Sequence, residues 1–286
     1  MTNQRALHQK SQRLADIGQL MTAMKNMAFM ETRKLERRVQ AQGRMVEQIQ
    51  QSTELCISHF PEALPHGHSV DNPVPQLWLL IGSERGFCGD FNQRLAQQSQ
   101  AQLQHSPSIV SIGQRLNQRA MPGVTALAQL PGANTTEETD RVLIQLTQTL
   151  SELEQQQGSF QLSVLFNQPD SNQISRQKLL PPFQDLRHTA PQGVAPLIHL
   201  DADSLLLGLG QQYLFVRLQH ILYLSLMAEN QQRIVHLQGA IQKLEQQLDD
   251  LQRRVNRLRQ EEIIEEIEII LINQGMQTPL ASTNDK

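Results

Sequence analysis

Residues 237–258 read LQGAIQKLEQQLDDLQRRVNRL. Leu237, Ile241, Leu244, Leu248, Leu251, Val255 and Leu258 are spaced 4, 3, 4, 3, 4 and 3 apart, the seam of a coiled coil. The pattern lies in a longer helical stretch. Residues 203–273 hold no proline, and their only glycines are Gly208, Gly210 and Gly239. A helix of ~70 residues rising ~1.5 Å each spans roughly 105 Å, more than a globular core can wrap. Such a rod is a mechanical part.

A second rod is expected at the other end. Residues 1–59 contain no proline and only Gly18 and Gly43. Leu7, Leu14, Met21, Ala28, Leu35, Ile49 and Cys56 recur at multiples of seven, interrupted by Gln42, with Ile17, Met24 and Met45 filling alternate positions. The breaker-rich residues 61–75 end this helix. Their His66 and His68 lack further ligands and read as solvated loop residues. Residues 1–50 hold nine Lys and Arg against four acids, whereas residues 229–270 hold six against nine. Helices of opposite charge with matching heptads favour each other, and the long intervening segment makes an antiparallel pair the economical arrangement.

The middle predicts an α/β fold, Rossmann-like with a mostly parallel sheet. Apolar runs at 77–81, 109–112 and 160–166, and a further one at 175–180, alternate with helical patterns near 92–105, 114–120 and 136–157. The expected organisation is a coiled-coil helix at 1–59, an α/β foot at 60–200, a coiled-coil helix at 201–275 and a polar tail at 276–286.

Composition narrows the function. With 25 Lys and Arg against 28 Asp and Glu, no general nucleic-acid binding is expected. Aromatic residues are only 4%, which suits long amphipathic helices that bury a narrow stripe. Two cysteines, Cys56 and Cys88, make no disulfide framework and point to a reducing, cytoplasmic setting. The N-terminus lacks the apolar centre of a signal peptide, and the apolar run 205–227 is broken by polar residues. The phosphate-binding patterns GxxxxGK[ST] and GxGxxG, the GxSxG elbow and HExxH are all missing. Gly208-Leu209-Gly210 sits in a helical pattern and reads as packing or hinge, and Glu261, Glu262, Glu265, Glu266 and Glu268 read as a solvated acidic face. No catalysis, cofactor, metal or direct nucleotide binding is expected.

The most distinctive string outside the helices is IGSERGFCGDFN at 81–92, directly after the first strand. Gly82, Gly86 and Gly89 permit positive φ and hence a sharp turn, from which Glu84, Arg85 and Asp90 are expected to project. Cys88 reads as a buried small residue, because no histidine beside it supports a reactive thiol.

Several strings together resemble the gamma subunit of F-type ATP synthases, the central rotor shaft. IGSERGFCGDFN is similar to the family's I-T-S-[DE]-R-G-L-C-G-G-[FL]-N. LMTAMKNMA at 20–28 is similar to I-T-K-A-M-K-M-V-A, and SLMAENQQRI at 225–234 to S-L-A-S-E-H-A-A-R-M. NRLRQ at 256–260, followed by EEIIEEIEII, resembles N-[RK]-A-R-Q and its I-T-x-E-I-x-E-I tail. Order and spacing agree over nearly the whole chain.

That resemblance implies an antiparallel coiled coil entering a hexamer of alternating alpha and beta subunits, with the α/β domain as a foot on the epsilon subunit and the membrane ring of c subunits. It implies a non-catalytic subunit of a proton- or sodium-transporting rotary enzyme on the cytoplasmic face of a bacterial plasma membrane. Site residues follow motif by motif. Arg259 and Gln260 match the pair that meets the beta catch loop. Arg233 and Arg85 match basic positions facing the acidic beta lever, and Met24 and Lys25 fall near that lever. The chain departs from the family at ADIGQ (15–19), at Gly239 and at the bulky tip LINQGM (271–276), while AFMETRKLERR (28–38) resembles a divergent bacterial branch. The competing readings are a coiled-coil adaptor with an α/β docking domain and a small α/β enzyme with coiled-coil arms.

Overall fold

A computed structural model describes residues 2–60, 62, 74–102, 108–118, 126–171, 173–183 and 196–275. His66, His68 and the tail 276–286 lie outside them. The element order is α1 (Thr2–His59), β1 (Gln76–Ile81), α2 (Phe91–Gln102), β2 (Ser108–Ile112), α3 (Gln114–Asn117), β3 (Ala126–Leu130), α4 (Thr139–Gln157), β4 (Gln161–Asn167), β5 (Ile174–Leu180) and α5 (Ala202–Gly275). The chain divides into two compact units: residues 1–25 with 237–286, and residues 26–236.

The larger unit is built on a five-stranded sheet in the order β3-β2-β1-β4-β5. Its first four members run parallel and β5 runs antiparallel to β4. β1 is central, so both of its faces are covered and five of its six residues are buried. Leu77, Leu79 and Ile81 point to one side, where they meet Val142, Leu143 and Leu146 of α4 and Leu218, Ile221 and Leu222 of α5. Trp78 and Leu80 point to the other, onto Leu95 of α2 and Leu116 of α3. β3 was not among the expected strands. Its sequence ALAQL carries a weak alternation, and as an edge strand it is only half-buried. The 175–180 segment is a strand as expected, but its antiparallel sense follows from the short turn that joins it to β4.

In the same unit α1 lies antiparallel to α5. Leu35 packs with Tyr223, Leu226 and Met227, while Cys56 and Ile57 pack with Leu206, so position falls along one helix as it rises along the other. Gln42 donates to Gln219 at 2.5 Å between them. Gly210 lets α5 approach Pro182, whose Cγ is 3.3 Å from where a Cβ would stand.

The smaller unit is a two-helix coiled coil. Lys25 Nζ donates to Gln238 Oε1 at 2.8 Å, and a Cβ on Gly18 would be 3.2 Å from Leu244 Cδ2, so here too the helices run antiparallel. All seven expected α5 seam residues are withdrawn from solvent: Leu237, Ile241 and Leu251 are buried, and Leu244, Leu248, Val255 and Leu258 half-buried.

On α1 the sevenfold positions were read correctly, but the alternates were not. The shielded alternates are Ser11, Gly18 and Lys25 in the small unit, and Thr32, Val39, Val46 and Thr53 in the large one. Ile17 and Met45 are instead 47% and 42% exposed, and Met24 is a half-buried flank. The polar alternates are accommodated locally, since Thr32 Oγ1 and Thr53 Oγ1 donate to the carbonyls of Ala28 and Ile49 one turn back.

Gly239 has no such steric duty, because nothing lies within 4 Å of a Cβ placed there. Gly239→Ala is therefore expected to stabilise the coiled coil by about 0.5–1 kcal/mol. Helicity at 222 nm followed through a urea titration checks this, and an unchanged or lower midpoint would contradict it.

Candidate functional site

The candidate residues fall into two groups. Met24, Lys25, Arg259 and Gln260 belong to the coiled-coil unit, and Arg85 and Arg233 to the α/β unit. Lys25 opposes Gln238, which lies 21 residues before Arg259 on α5, so these two sites are about 30 Å apart along the helix. Arg259 and Gln260 are exposed beside the Val255–Leu258 seam. Beyond them Ile263, Ile264, Ile267, Ile270 and Leu271 are all at least 48% exposed, an apolar surface interleaved with carboxylates.

The α/β unit gathers its candidates around one buried carboxylate. The main chain leaves β1 through Gly82, whose N–H donates to Ile112 O at 2.9 Å. A Cβ there would lie 2.5 Å from Leu116 Cβ, so Gly82 is a matter of space rather than of φ. Asn92 locks the loop by accepting from Ser83 N–H at 2.9 Å and donating to Ser83 Oγ at 2.8 Å. Of the three glycines that permit positive φ only Gly89 adopts it (59°), and Phe87 shares that conformation at 63°.

Glu229 of α5 accepts the backbone N–H groups of Glu84 and Arg85, each at 3.2 Å, and forms an ion pair with Arg233 one turn on. Arg233 also donates to Gly86 O at 3.3 Å, to Asn230 Oδ1 at 2.7 Å and to Cys88 Sγ at 3.5 Å. Burial pushes the Glu229 carboxyl up from its ordinary range, against the pull of Arg233 and the two N–H groups.

This geometry changes two sequence-based expectations. Arg233 is 5% exposed and fully engaged inside the chain, so it presents no free guanidinium to a partner. Glu84 does not project; its Oε2 accepts N–H groups of Gln114 and Gly132 at 2.8 and 2.6 Å. Arg85 and Asp90 are exposed as expected, with Arg85 Nε donating to Asn134 Oδ1 at 2.6 Å. Burial, helped by the charge of Glu229, pushes the Cys88 thiol up to about 12, which keeps it protonated and unreactive. Sequence reasoning missed Glu229. A charged residue directly after the largely apolar run 221–228 was the available signal, since α5 is enclosed there by the sheet, α1 and the loop.

Long helices packed antiparallel on a mostly parallel α/β sheet define the fold of the larger unit. The family model described as "ATP synthase" matches residues 3–274, and the chain belongs to that family, the F1 gamma family. Solved structures share the fold. A chain of the Euglena gracilis mitochondrial ATP synthase OSCP/F1/c-ring structure in rotational state 3 is 15% identical, with TM-score 0.64, covering 100% of this chain and 99% of that one. One from the rotor of the same enzyme in rotational state 1 is 16% identical, with TM-score 0.58 and coverage of 92% and 99%. A chain of the Tetrahymena thermophila central stalk/c-ring structure is 16% identical, with TM-score 0.55 and coverage of 77% and 99%. No curated protein matches by sequence.

Proposed function

We propose that this chain transmits torque between a membrane ring of c subunits and a catalytic hexamer of alpha and beta subunits, coupling ion translocation to ATP synthesis or hydrolysis. The observation that carries this reading is the sharing of α1 and α5 by both units: the helices that pack against the sheet continue into the coiled coil. Helices stiffened by pairing transmit rotation, whereas a flexible linker would dissipate it. An asymmetric shaft shifts a neighbouring site only if its orientations bind that site's states differently.

In this reading the chain is the non-catalytic subunit, and residues 60–200 form the foot that meets the epsilon subunit and the c-ring. Arg259 and Gln260 meet the catch loop of beta, while Arg85, Met24 and Lys25 lie near its lever. Arg233 serves that contact indirectly, by holding the loop that displays Arg85. The exposed isoleucines after Gln260 supply the apolar end that turns within the hexamer.

ATP synthase is a membrane-associated complex, and among the described residues no helix is long and apolar enough to cross a membrane. Peripheral attachment through the c-ring fits both facts. The bacterial plasma membrane rests on the AFMETRKLERR string alone, because the similar solved structures are mitochondrial.

The test is to purify the complex and count subunits, with one copy of this chain expected per alpha/beta hexamer. Arg259→Ala with Gln260→Ala is then expected to leave assembly intact and lower coupled ATP synthesis roughly tenfold, the loss of two charge-assisted or amide hydrogen bonds. Undiminished synthesis would remove both residues from the coupling surface.

A further inference from the structure

In a sheet ordered β3-β2-β1-β4-β5 the connections diverge between β1 and β4, one leading toward β2 and the other toward β5. A crevice at the carboxyl ends of those two strands is where open α/β sheets receive their ligands. In this chain α5 reaches both of its walls. Glu229 accepts the N–H groups of Glu84 and Arg85 in the loop after β1. Gln231, two residues on, accepts Asp170 N–H at 2.9 Å and donates to Asp170 Oδ1 at 2.8 Å in the turn after β4.

The other helix makes a matching contact. Glu31 Oε1 on α1 accepts both the N–H and the Oγ1–H of Thr136 at 2.5 Å, where the segment after β3 begins its helical turn. The loops gripped in this way are also tied to each other. Glu84 bridges to Gln114 and Gly132, and Arg85 bridges to Asn134, whose own N–H is held by Glu138 at 2.8 Å.

We propose that the β1/β4 crevice is a socket for the helix pair, with Glu31, Glu229 and Gln231 as the positioning residues that keep the α/β body from turning about the helices. Apolar packing of Leu218, Ile221 and Leu222 on the sheet holds the parts together but has no preferred direction. Hydrogen bonds are directional and weaken steeply when misaligned, so three grips on three loops resist twist as the apolar layer does not. The socket rests on the rotor reading for its purpose, though not for its geometry.

The test uses the assembled complex in lipid vesicles, comparing ion pumping per ATP hydrolysed between wild type and Glu31→Ala with Gln231→Ala. Both side chains are half-buried polar groups outside the apolar core, and the melting temperature of the full chain reports whether the fold is kept. Hydrolysis is expected to continue while the pumping ratio falls at least about threefold. Glu31→Gln is expected to pump normally, since an amide oxygen still accepts from Thr136, an outcome that loss of general stability does not produce. A pumping ratio unchanged in the double variant would overturn the socket. Hydrogen exchange on the full chain alone gives an independent reading: the Thr136 and Asp170 amides are expected to be protected in wild type and fast in the double variant, and fast exchange in wild type would also overturn it. A wild-type chain that joins no hexamer would instead sink the rotor reading and leave this second measurement to decide the socket.

Discussion

Replacing Arg233 by leucine is expected to lower the unfolding free energy of the free chain by about 3–5 kcal/mol, the cost of leaving one member of a buried ion pair without the other. Glu229 is 3% exposed, so water cannot take the place of the guanidinium. The same substitution frees Gly86 O and Asn230 Oδ1 from their donor. Trp78, the single tryptophan, is buried in the α/β unit, and its fluorescence in a urea titration reads the loss. Glu229→Gln combined with Arg233→Met is expected to recover most of it, because no charge is stranded and the amide oxygen still accepts from the loop. A single variant within about 1 kcal/mol of wild type would show that the pair carries little of the fold. Because the effect is expected without any partner subunit, it separates a role inside the chain from one at an interface.

Gly113→Val is expected to cost at least about 3 kcal/mol, from backbone strain and a clash together. Gly113 has φ 109°, and a Cβ there would stand 2.8 Å from the carbonyl oxygens of both Gly82 and Ser83. Both oxygens are held in place, since Ser83 O accepts from Arg115 N–H and the Gly82–Ser83 peptide is anchored by Ser83 N–H donating to Asn92 Oδ1. Gly89→Ala is the control. Its φ of 59° is also left-handed, but its nearest neighbour, His236 Nδ1, is 3.7 Å away, so strain alone of about 1 kcal/mol is expected. Thermal melts of the two variants check the contrast, and equal losses would mean that crowding at Gly113 is relieved by movement of the β1 loop.

The contrast shows where sequence reading stops. IGSERGFCGDFN was legible as a tight connection after a strand, but three glycines in one loop turned out to serve different ends. Gly82 clears space for Leu116 and Asn92, Gly89 takes a left-handed turn, and Gly86 has only ordinary contacts near Arg115. Pattern alone cannot separate a steric requirement from a conformational one. The alternate positions of the α1 seam were misread for a related reason: a search for apolar periodicity passes over Ser11, Gly18 and Thr32. Gly18 faces inward because Leu244 fills the space it leaves.

What the sequence by itself determined was the periodic architecture: two proline-free heptad helices, the central α/β alternation and the seam from Leu237 to Leu258. Those features depend on local spacing and on which face of a helix or strand is apolar, and both are written along the chain. Only the tertiary structure decided which side chains are spent inside. Arg233 and Glu84 were read as outward-facing, yet Glu84 is consumed by the N–H groups of Gln114 and Gly132, and Arg233 by Gly86 O together with the Glu229 carboxylate one turn back. A charge faces inward when the fold delivers partners that replace its water, and the long-range ones, 30 residues away for Glu84 and Gln114 and 147 for Arg233 and Gly86, leave no mark in its own neighbourhood.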